Sequence, residues 1–521
     1  MAGSVHELGR RSVLAGAVAV ASGLARPAMS QGSVRTLRVR PVNDLASLDP
    51  VWGTSQSSLE AAYMAYDALY GLDASLTPQP QMVDGHDLSD DGLTWRFTLR
   101  DGLAFHDGER VRAQDAIASI ARWAQRDTVG VVLKAHLDEM RALDDRRFEM
   151  RLKKPFPRML FSLARYTLLV MPERVAGHTD AFTMVKDHTG SGPFVFLKDE
   201  WVSGSRAAFR RNERYVPRQE KPSLYAGGKA VHFDRVEWIT IPDPATAMGA
   251  ISNGEIDWWE NPVPDLLPKL RKSPGVIVEQ IDPIGLFGMI VFNTKIPPLD
   301  NAKLRRALLF GVSQSDCMQV VVGSQPALMR TGVGVFPPGT PLATDADMDV
   351  LTTPRDLDQV RRLVQESGYK GERIAMMVPT DSYALSAFGN VIHQMMTNVG
   401  LNMDYQPMDW ATLVSRRNQV ETSGWNCYSS NSDGLSYMTP GTHWRLLSTA
   451  PDPRMVALKQ AWFNAPDLVT QKQVAEQVQR RFFEDPPFLP LGQYLVPWAY
   501  RAGLTDIVHA PQSLFWGMRR A

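Results

Sequence analysis

Cysteine is scarce in this 521-residue chain: Cys317 and Cys427 are the two present, and neither has a CxxC neighbour. A disulfide scaffold needs many more, and thiolate zinc or redox chemistry needs paired spacing, so both are excluded. An excess of charge of one sign is lacking too. Lysine plus arginine number 56 and aspartate plus glutamate 56, which leaves no basic footprint for nucleic acid. With 44% hydrophobic and 21% charged residues, the chain also lacks the composition of a disordered tail. No apolar run reaches the roughly 20 residues a membrane-spanning helix requires. Catalytic signatures are absent as well: no GxxxxGK[ST] phosphate loop, no HExxH, no GxSxG elbow and no glycine fingerprint between strand and helix. The ten histidines show no ligand spacing, so neither a metal centre nor a cofactor is expected. Adjacent acids at Asp90–Asp91 and Asp144–Asp145 read as hairpin residues, since a general acid/base pair needs a buried site that separates its pKa values. No repeat recurs at 20 to 50 residues.

Several features stand against these absences. The length is about three times that of an ordinary domain, and 38 glycines, 36 prolines and 13 tryptophans imply many turns and an aromatic-rich surface or cleft. Residues 1–30 run from a short polar stretch through Arg10 and Arg11 to an apolar segment, Val13 to Ala25, and then to small residues. That is the layout of a secretory signal. Gly9-Arg10-Arg11-Ser12-Val13-Leu14 resembles the twin-arginine export motif, and Ala28-Met29-Ser30 supplies a small-x-small cleavage site before Gln31. Cleavage there removes three basic residues and one acidic one, turning the neutral total faintly acidic. In an oxidising compartment the two cysteines are able to pair only if their Cα atoms lie within about 7 Å, which spacing cannot decide.

Past Gln31, short strands and helices interleave. Alternating patterns mark strands at Leu37–Val42, Gly92–Arg100, Phe148–Leu152, Val231–Ile241 and Ile277–Ile281. Helical spacing marks Ser57–Leu69, Gln114–Ala124, Ala245–Asn253, Ala302–Gly311, Leu357–Ser367, Tyr383–Val399 and Gln471–Phe483. Trp95, Phe97 and Leu99 should form one core-facing strand surface, and His106 is expected to be a hydrogen-bonded turn residue. The mixture argues for an α/β protein with more than one lobe. An exported chain of this kind without a catalytic constellation points to binding rather than reaction.

A group of segments carries a family resemblance. Leu48-Asp49-Pro50, Tyr66-Asp67-Ala68-Leu69 and the stretch from Ser89 to Trp123 resemble the extracellular solute-binding protein family 5, the peptide- and nickel-type binding proteins of ABC importers. So do Thr189 to Phe194 with Arg211-Asn212 and Tyr215, Gly254-Glu255-Ile256-Asp257, and Asn293 to Leu308. The resemblance implies a bilobal periplasmic-binding-protein fold of type II with an extra inserted domain, its two lobes carrying mixed sheets and joined by a hinge. Residues 31–60, 190–270 and 486–521 would build the first lobe, 61–189 an inserted subdomain, and 271–485 the second lobe. It further implies a monomer that is no enzyme, that captures a peptide or peptide-like ligand, and that hands it to separate ABC permease and ATPase chains. Rival readings are a non-peptide ligand (opine, oligosaccharide or a nickel chelate held through His443 or another of the scattered histidines with an organic chelator), or an exported enzyme or chaperone on the same fold.

The same resemblance nominates ligand contacts. Asp44 and Ala46 fall on the stretch that pairs with the ligand backbone in peptide-binding relatives. Trp410 and Trp425 match two tryptophans of the second lobe, and Asn426 follows the latter. Tyr428 stands where relatives carry an aspartate for the ligand amine. That departure weakens the case for a simple free peptide, because a buried ammonium needs a charged partner; Asp433, in what reads as a polar loop, or Asp44 would have to replace it. Arg417 matches an arginine that some relatives use for the ligand carboxylate, with a solvated helix face as the alternative. Trp258 and Trp259 should point to opposite faces of an extended chain, one toward the cleft and one inward, with burial of both as the other outcome. Glu260 is a candidate partner for a cationic ligand.

Overall fold

The computed structural model describes residues 35–53, 55–323, 325–417, 419–433 and 452–521. Residues 1–30, read above as an export signal, and His443 lie outside the described residues. Within Arg35–Ala521, which forms one compact unit, two large mixed sheets and one smaller sheet organise the chain.

The first sheet has seven strands in the order Val276–Glu279, Trp498–Arg501, Trp258–Trp259, Thr36–Arg40, Arg235–Ile239, Arg206–Arg211 and Phe194–Phe196. Thr36–Arg40 is central and runs parallel to both of its neighbours. Leu37 and Val39 alternate inward with no exposure, as the sequence pattern requires. The second sheet has six strands: Met329–Arg330, Phe488–Tyr494, Leu286–Phe292, Cys427–Asp433, Arg373–Pro379 and Asn402–Met408. Between the first and second strands of the larger sheet, the chain makes a four-stranded antiparallel sheet from Val83–Leu88, Thr94–Leu99, Arg147–Leu152 and Leu137–Ala142. In it Trp95, Phe97 and Leu99 face the core as expected. The helices match the apolar periodicity closely; Gln56–Ala65, for example, is capped by Ser55, which accepts from Ser58 N.

Two antiparallel strands continue from one large sheet into the other. Val276–Glu279 pairs with Trp498–Arg501 in the first sheet, and their extensions Leu286–Phe292 and Phe488–Tyr494 pair in the second. This two-stranded ribbon is interrupted at 280–285 and 495–497, which puts the crossings there and not at the expected bounds of the second lobe, 271 and 485. Residues 276–279 and 488–494 each had a partner on the far side of the expected boundary, and backbone pairing decides their membership. Gly285, at φ 78°, sits at the break: a Cβ there would meet Tyr494 O and Leu495 Cδ2, each at 2.6 Å.

The motifs turn out to be structural ties. Asp49 forms a two-pronged pair with Arg122 (2.9 and 2.7 Å), both fully buried. Asp67 holds Lys229 Nζ at 2.6 Å and the Tyr215 hydroxyl at 2.7 Å. Gly190 is required because a Cβ would lie 1.8 Å from Ala65 O. His106 accepts from Gly190 N through Nδ1 and donates Nε2–H to Gly192 O, and burial pushes its pKa down to about 4, so it is a neutral turn residue. Asp91 and Asp144 accept backbone N–H groups in their hairpins. Cys317 and Cys427 are free, buried thiols, with burial raising both pKa values.

Candidate functional site

The eleven residues singled out from the sequence fall into two sets. One set is consumed inside the fold. Asp44 accepts from Gly204 N (2.7 Å) and Ser203 Oγ (3.1 Å), so its carboxylate caps a turn of the first lobe. Ala46 is exposed on a stretch that is not a strand. The predicted split between Trp258 and Trp259 does not occur: each is 1% exposed, because their strand is enclosed by Thr36–Arg40 and Trp498–Arg501 in the sheet interior. Trp258 donates to Ser513 Oγ at 3.1 Å and stacks on Tyr500; the Arg40 guanidinium lies 5.7 Å from the Trp259 ring.

Glu260 is buried as well, and so is not open to a cationic ligand. It accepts from Val42 N (2.9 Å) and from the Ser513 hydroxyl, while Ser513 N donates to Glu60 Oε1 at 2.9 Å. Two fully buried carboxyls therefore share one serine. Burial pushes the Glu260 pKa up to about 7, and burial together with the Glu260 charge raises that of Glu60. Asn426 is also spent: its Oδ1 accepts from Ala375 N (2.8 Å) and its Nδ2 donates to Pro297 O (2.9 Å).

The other set converges on the second sheet. Trp410 opens the helix Trp410–Arg417, with its backbone N–H held by Asp381 (3.0 and 3.2 Å). From the last turn of that helix, the Arg417 guanidinium reaches back to 5.3 Å from the Trp410 ring and 5.8 Å from the Tyr428 ring. Trp425 meets Tyr428 edge-on at 5.4 Å. The neighbouring Arg416 is committed to Gln406 Oε1 (2.9 Å) and Ser423 O (3.2 Å). Arg417 Nε and Trp425 Nε1, by contrast, are buried and have no hydrogen-bond partner among the described residues. Burial raises the Tyr428 pKa against the opposing effect of Arg417, so the phenol stays neutral. Two aromatic rings, Trp410 and Tyr428, thus flank a half-buried cation whose Nε–H has no partner among the described residues, and Trp425 packs on the second of them.

Asp433 ends a strand rather than sitting in a loop. The serine-rich run Cys427–Asp433 pairs along its whole length with Leu286–Phe292, and tertiary pairing overrides its weak strand propensity. At its end, Asp433 acts electrostatically on Arg165 and Tyr225 from the first lobe and on Asp282 in the crossing segment. Burial, with Asp433 adding, pushes the Asp282 pKa up to about 6, while N–H groups of Ile284 and Gly285 oppose the rise. Sequence reasoning missed Asp282, Arg165 and Tyr225. An isolated acid in Ile281-Asp282-Pro283 looks like any turn residue, and an arginine at the end of a short helix carries no signal. Among the described residues, no cluster of three or more His, Cys, Asp or Glu is placed to hold a metal ion, and no helix is long and apolar enough to cross a membrane.

Comparison with known proteins agrees with this architecture. The chain is 32% identical over 531 residues to the "Probable peptide ABC transporter periplasmic-binding protein" of Sinorhizobium fredii, covering 99% of each chain. Its fold matches a dipeptide-binding protein from Pseudoalteromonas in complex with Met-Leu (TM-score 0.78, 18% identity, 94% of this chain and 100% of that one). It also matches the binding protein AgaA of Agrobacterium tumefaciens in complex with agropinic acid (TM-score 0.76, 17% identity, 93% and 99%). The family model for bacterial extracellular solute-binding proteins, family 5 (Middle), matches residues 77–445. With two lobes, mixed sheets and that match across most of its length, the chain belongs to the bacterial extracellular solute-binding proteins, family 5.

Proposed function

We propose that this protein is a periplasmic substrate-binding protein that takes up a small ligand, a peptide or peptide-like compound, between its two lobes and presents it to the permease and ATPase chains of an ABC importer. The observation that carries this reading is the group Trp410, Arg417, Trp425 and Tyr428, in which the Arg417 guanidinium faces the Trp410 and Tyr428 rings while Arg417 Nε and Trp425 Nε1 have no hydrogen-bond partner among the described residues. These four residues, with Asp433 at the lobe boundary, are the proposed ligand contacts. The first lobe is assigned to residues 31–60, 190–279 and 498–521, the inserted subdomain to 61–189, and the second lobe to 286–494. The protein acts as a monomer and turns nothing over. Closure between lobes expels water and strengthens each polar contact to the ligand, and the closed form is the one a transporter can select.

The comparisons support a peptide-type ligand through the Sinorhizobium relative. Tyr428 and Arg417 refine that reading: a neutral phenol and a guanidinium whose Nε has no partner among the described residues suit a ligand end rich in acceptors better than a free ammonium. Residues 1–30 serve as an export signal read by the twin-arginine route and cleaved after Ser30.

Native mass spectrometry of the protein purified from periplasm tests the function: a stoichiometric small molecule that dissociates on unfolding is expected. A preparation that carries none, shows no stabilisation with any peptide pool and catalyses a reaction would overturn it. For export, changing Arg10 and Arg11 together to lysine should leave precursor in the cytoplasm.

A further inference from the structure

The two lobes meet at a second place besides the interrupted ribbon. The helix Pro453–Asn464 packs on Leu468–Glu484, which is tied into the second lobe by Gln479 Nε2 donating to Ala346 O (2.8 Å) and Thr344 O (3.0 Å). Its C-terminal end faces the inserted subdomain. There Phe463 stacks on Phe156 with centroids 6.3 Å apart, and Trp462 meets Phe161 edge-on at 6.0 Å. His136 packs on Phe156 at 4.6 Å and places Nε2 3.4 Å from Asn464 Oδ1, while Arg158 Nη2 donates to Ala465 O at 3.3 Å. Phe156, Trp462 and Phe463 are all at most 2% exposed.

The chemistry of this contact differs from that of the ribbon. Among the described residues no strand pairing crosses it, its two hydrogen bonds, at 3.3 and 3.4 Å, are long, and the Arg158 and Asp467 charges attract across it without touching. Its cohesion is ring burial, which is non-directional and lost all at once on separation. A contact of that kind can part and re-form without disturbing either sheet. The Asp433 carboxylate, acting on Arg165, draws the same subdomain toward the second lobe from a separate point.

We infer that the inserted subdomain is a strap: its aromatic face, Phe156 and Phe161, grips Trp462 and Phe463 and holds the lobes shut on the side away from the ribbon. This rests on the reading of the protein as a two-lobed capture device, and it assigns to the insertion a role in setting how readily the lobes open. The strap contributes no ligand contact.

Small-angle scattering on protein stripped of ligand by unfolding and refolding tests it. Phe463→Ser should raise the radius of gyration by roughly 1 Å over the native protein, for which a compact chain of this length gives about 23 Å. It should also speed exchange of backbone amides at 280–285 at least tenfold. Phe156→Leu, which keeps an apolar side chain, should give a smaller change of the same sign. A short bismaleimide linking His136→Cys to Asn464→Cys should restore the native radius to the Phe463→Ser protein; the native thiols are buried and do not compete. Unchanged scattering and exchange in folded Phe463→Ser and Phe156→Leu overturn the strap, as does expansion that survives the link. If Phe463→Ser fails to fold, Phe156→Leu alone decides. Ligand carried by a variant with unchanged scattering removes the strap and leaves capture standing. Expansion in a protein that never carries ligand does the reverse.

Discussion

The first lobe and the second surround their buried and half-buried charges differently. In the first, charges are answered from within: Asp67 by Lys229 and Tyr215, Asp49 by Arg122, Glu260 by Ser513 and Val42. In the second, Arg417 Nε and Trp425 Nε1 are buried without a partner while Arg416, one residue away, is fully engaged. Unpaired buried donors do not by themselves separate the lobes, since Trp238 Nε1, Trp259 Nε1 and Trp516 Nε1 of the first share that state; the contrast lies in Arg417, whose guanidinium faces two aromatic rings instead of a carboxylate.

The sharpest way to break this contrast is to remove a first-lobe partner. Lys229→Met strands Asp67 in a site with no exposure; we expect a loss of about 3–5 kcal/mol in denaturant unfolding, and a loss below about 1 kcal/mol would mean the pair is not integral. The second-lobe counterpart should behave in the reverse manner. Arg417→Gln is expected to lower unfolding free energy by only about 1 kcal/mol, from its lost ring contacts, yet weaken binding of the co-purified ligand by about 2 kcal/mol, as for an interface hot spot; calorimetry and urea melts on the same preparation separate the two.

The carboxyl pair supplies a pH signature confined to the first lobe. Because burial raises the pKa of Glu60 and Glu260, the folded state binds protons more tightly than the unfolded chain, whose glutamates titrate near about 4.3. Stability from this pair is therefore fully present below that range and falls as pH rises toward 7. Glu260→Gln should flatten that slope without touching ligand affinity. The smallest effect belongs to Asp44→Ala: two hydrogen bonds to the 203–204 turn are lost, costing about 1 kcal/mol, with affinity unchanged.

What the sequence made legible follows from where each signal lies. Alternation over Thr94–Leu99 and helical spacing over Leu357–Glu366 are local, and both appear as read. The family blocks named the residues of the second-lobe group: the seven-residue spacing puts Trp410 and Arg417 on one face of a helix, while Trp425 lies just before the strand that carries Tyr428. Burial of both Trp258 and Trp259 was not legible: a two-residue strand shows no periodicity, and its enclosure depends on residues 36–40 and 498–501 far along the chain. The strand at Cys427–Asp433 was hidden for the same reason, since polar side chains there rely on neighbours that local sequence does not name. Asp44 looked like a ligand contact until a turn 160 residues away claimed it.

The paired strands that run through both large sheets have a mechanical consequence. Their two breaks, six residues at 280–285 and three at 495–497, lie side by side, and the strands are locked in register on either side of the gap. Such a joint behaves as a flexure: it yields about the line joining the two gaps, while shear along the strands would have to slide a hydrogen-bonded ladder and is resisted. The unequal lengths bias it further, because three residues leave the backbone fewer rotatable bonds than six. Opening should therefore pivot on 495–497 and be taken up by 280–285, where Gly285 and the Asp282 turn provide the give.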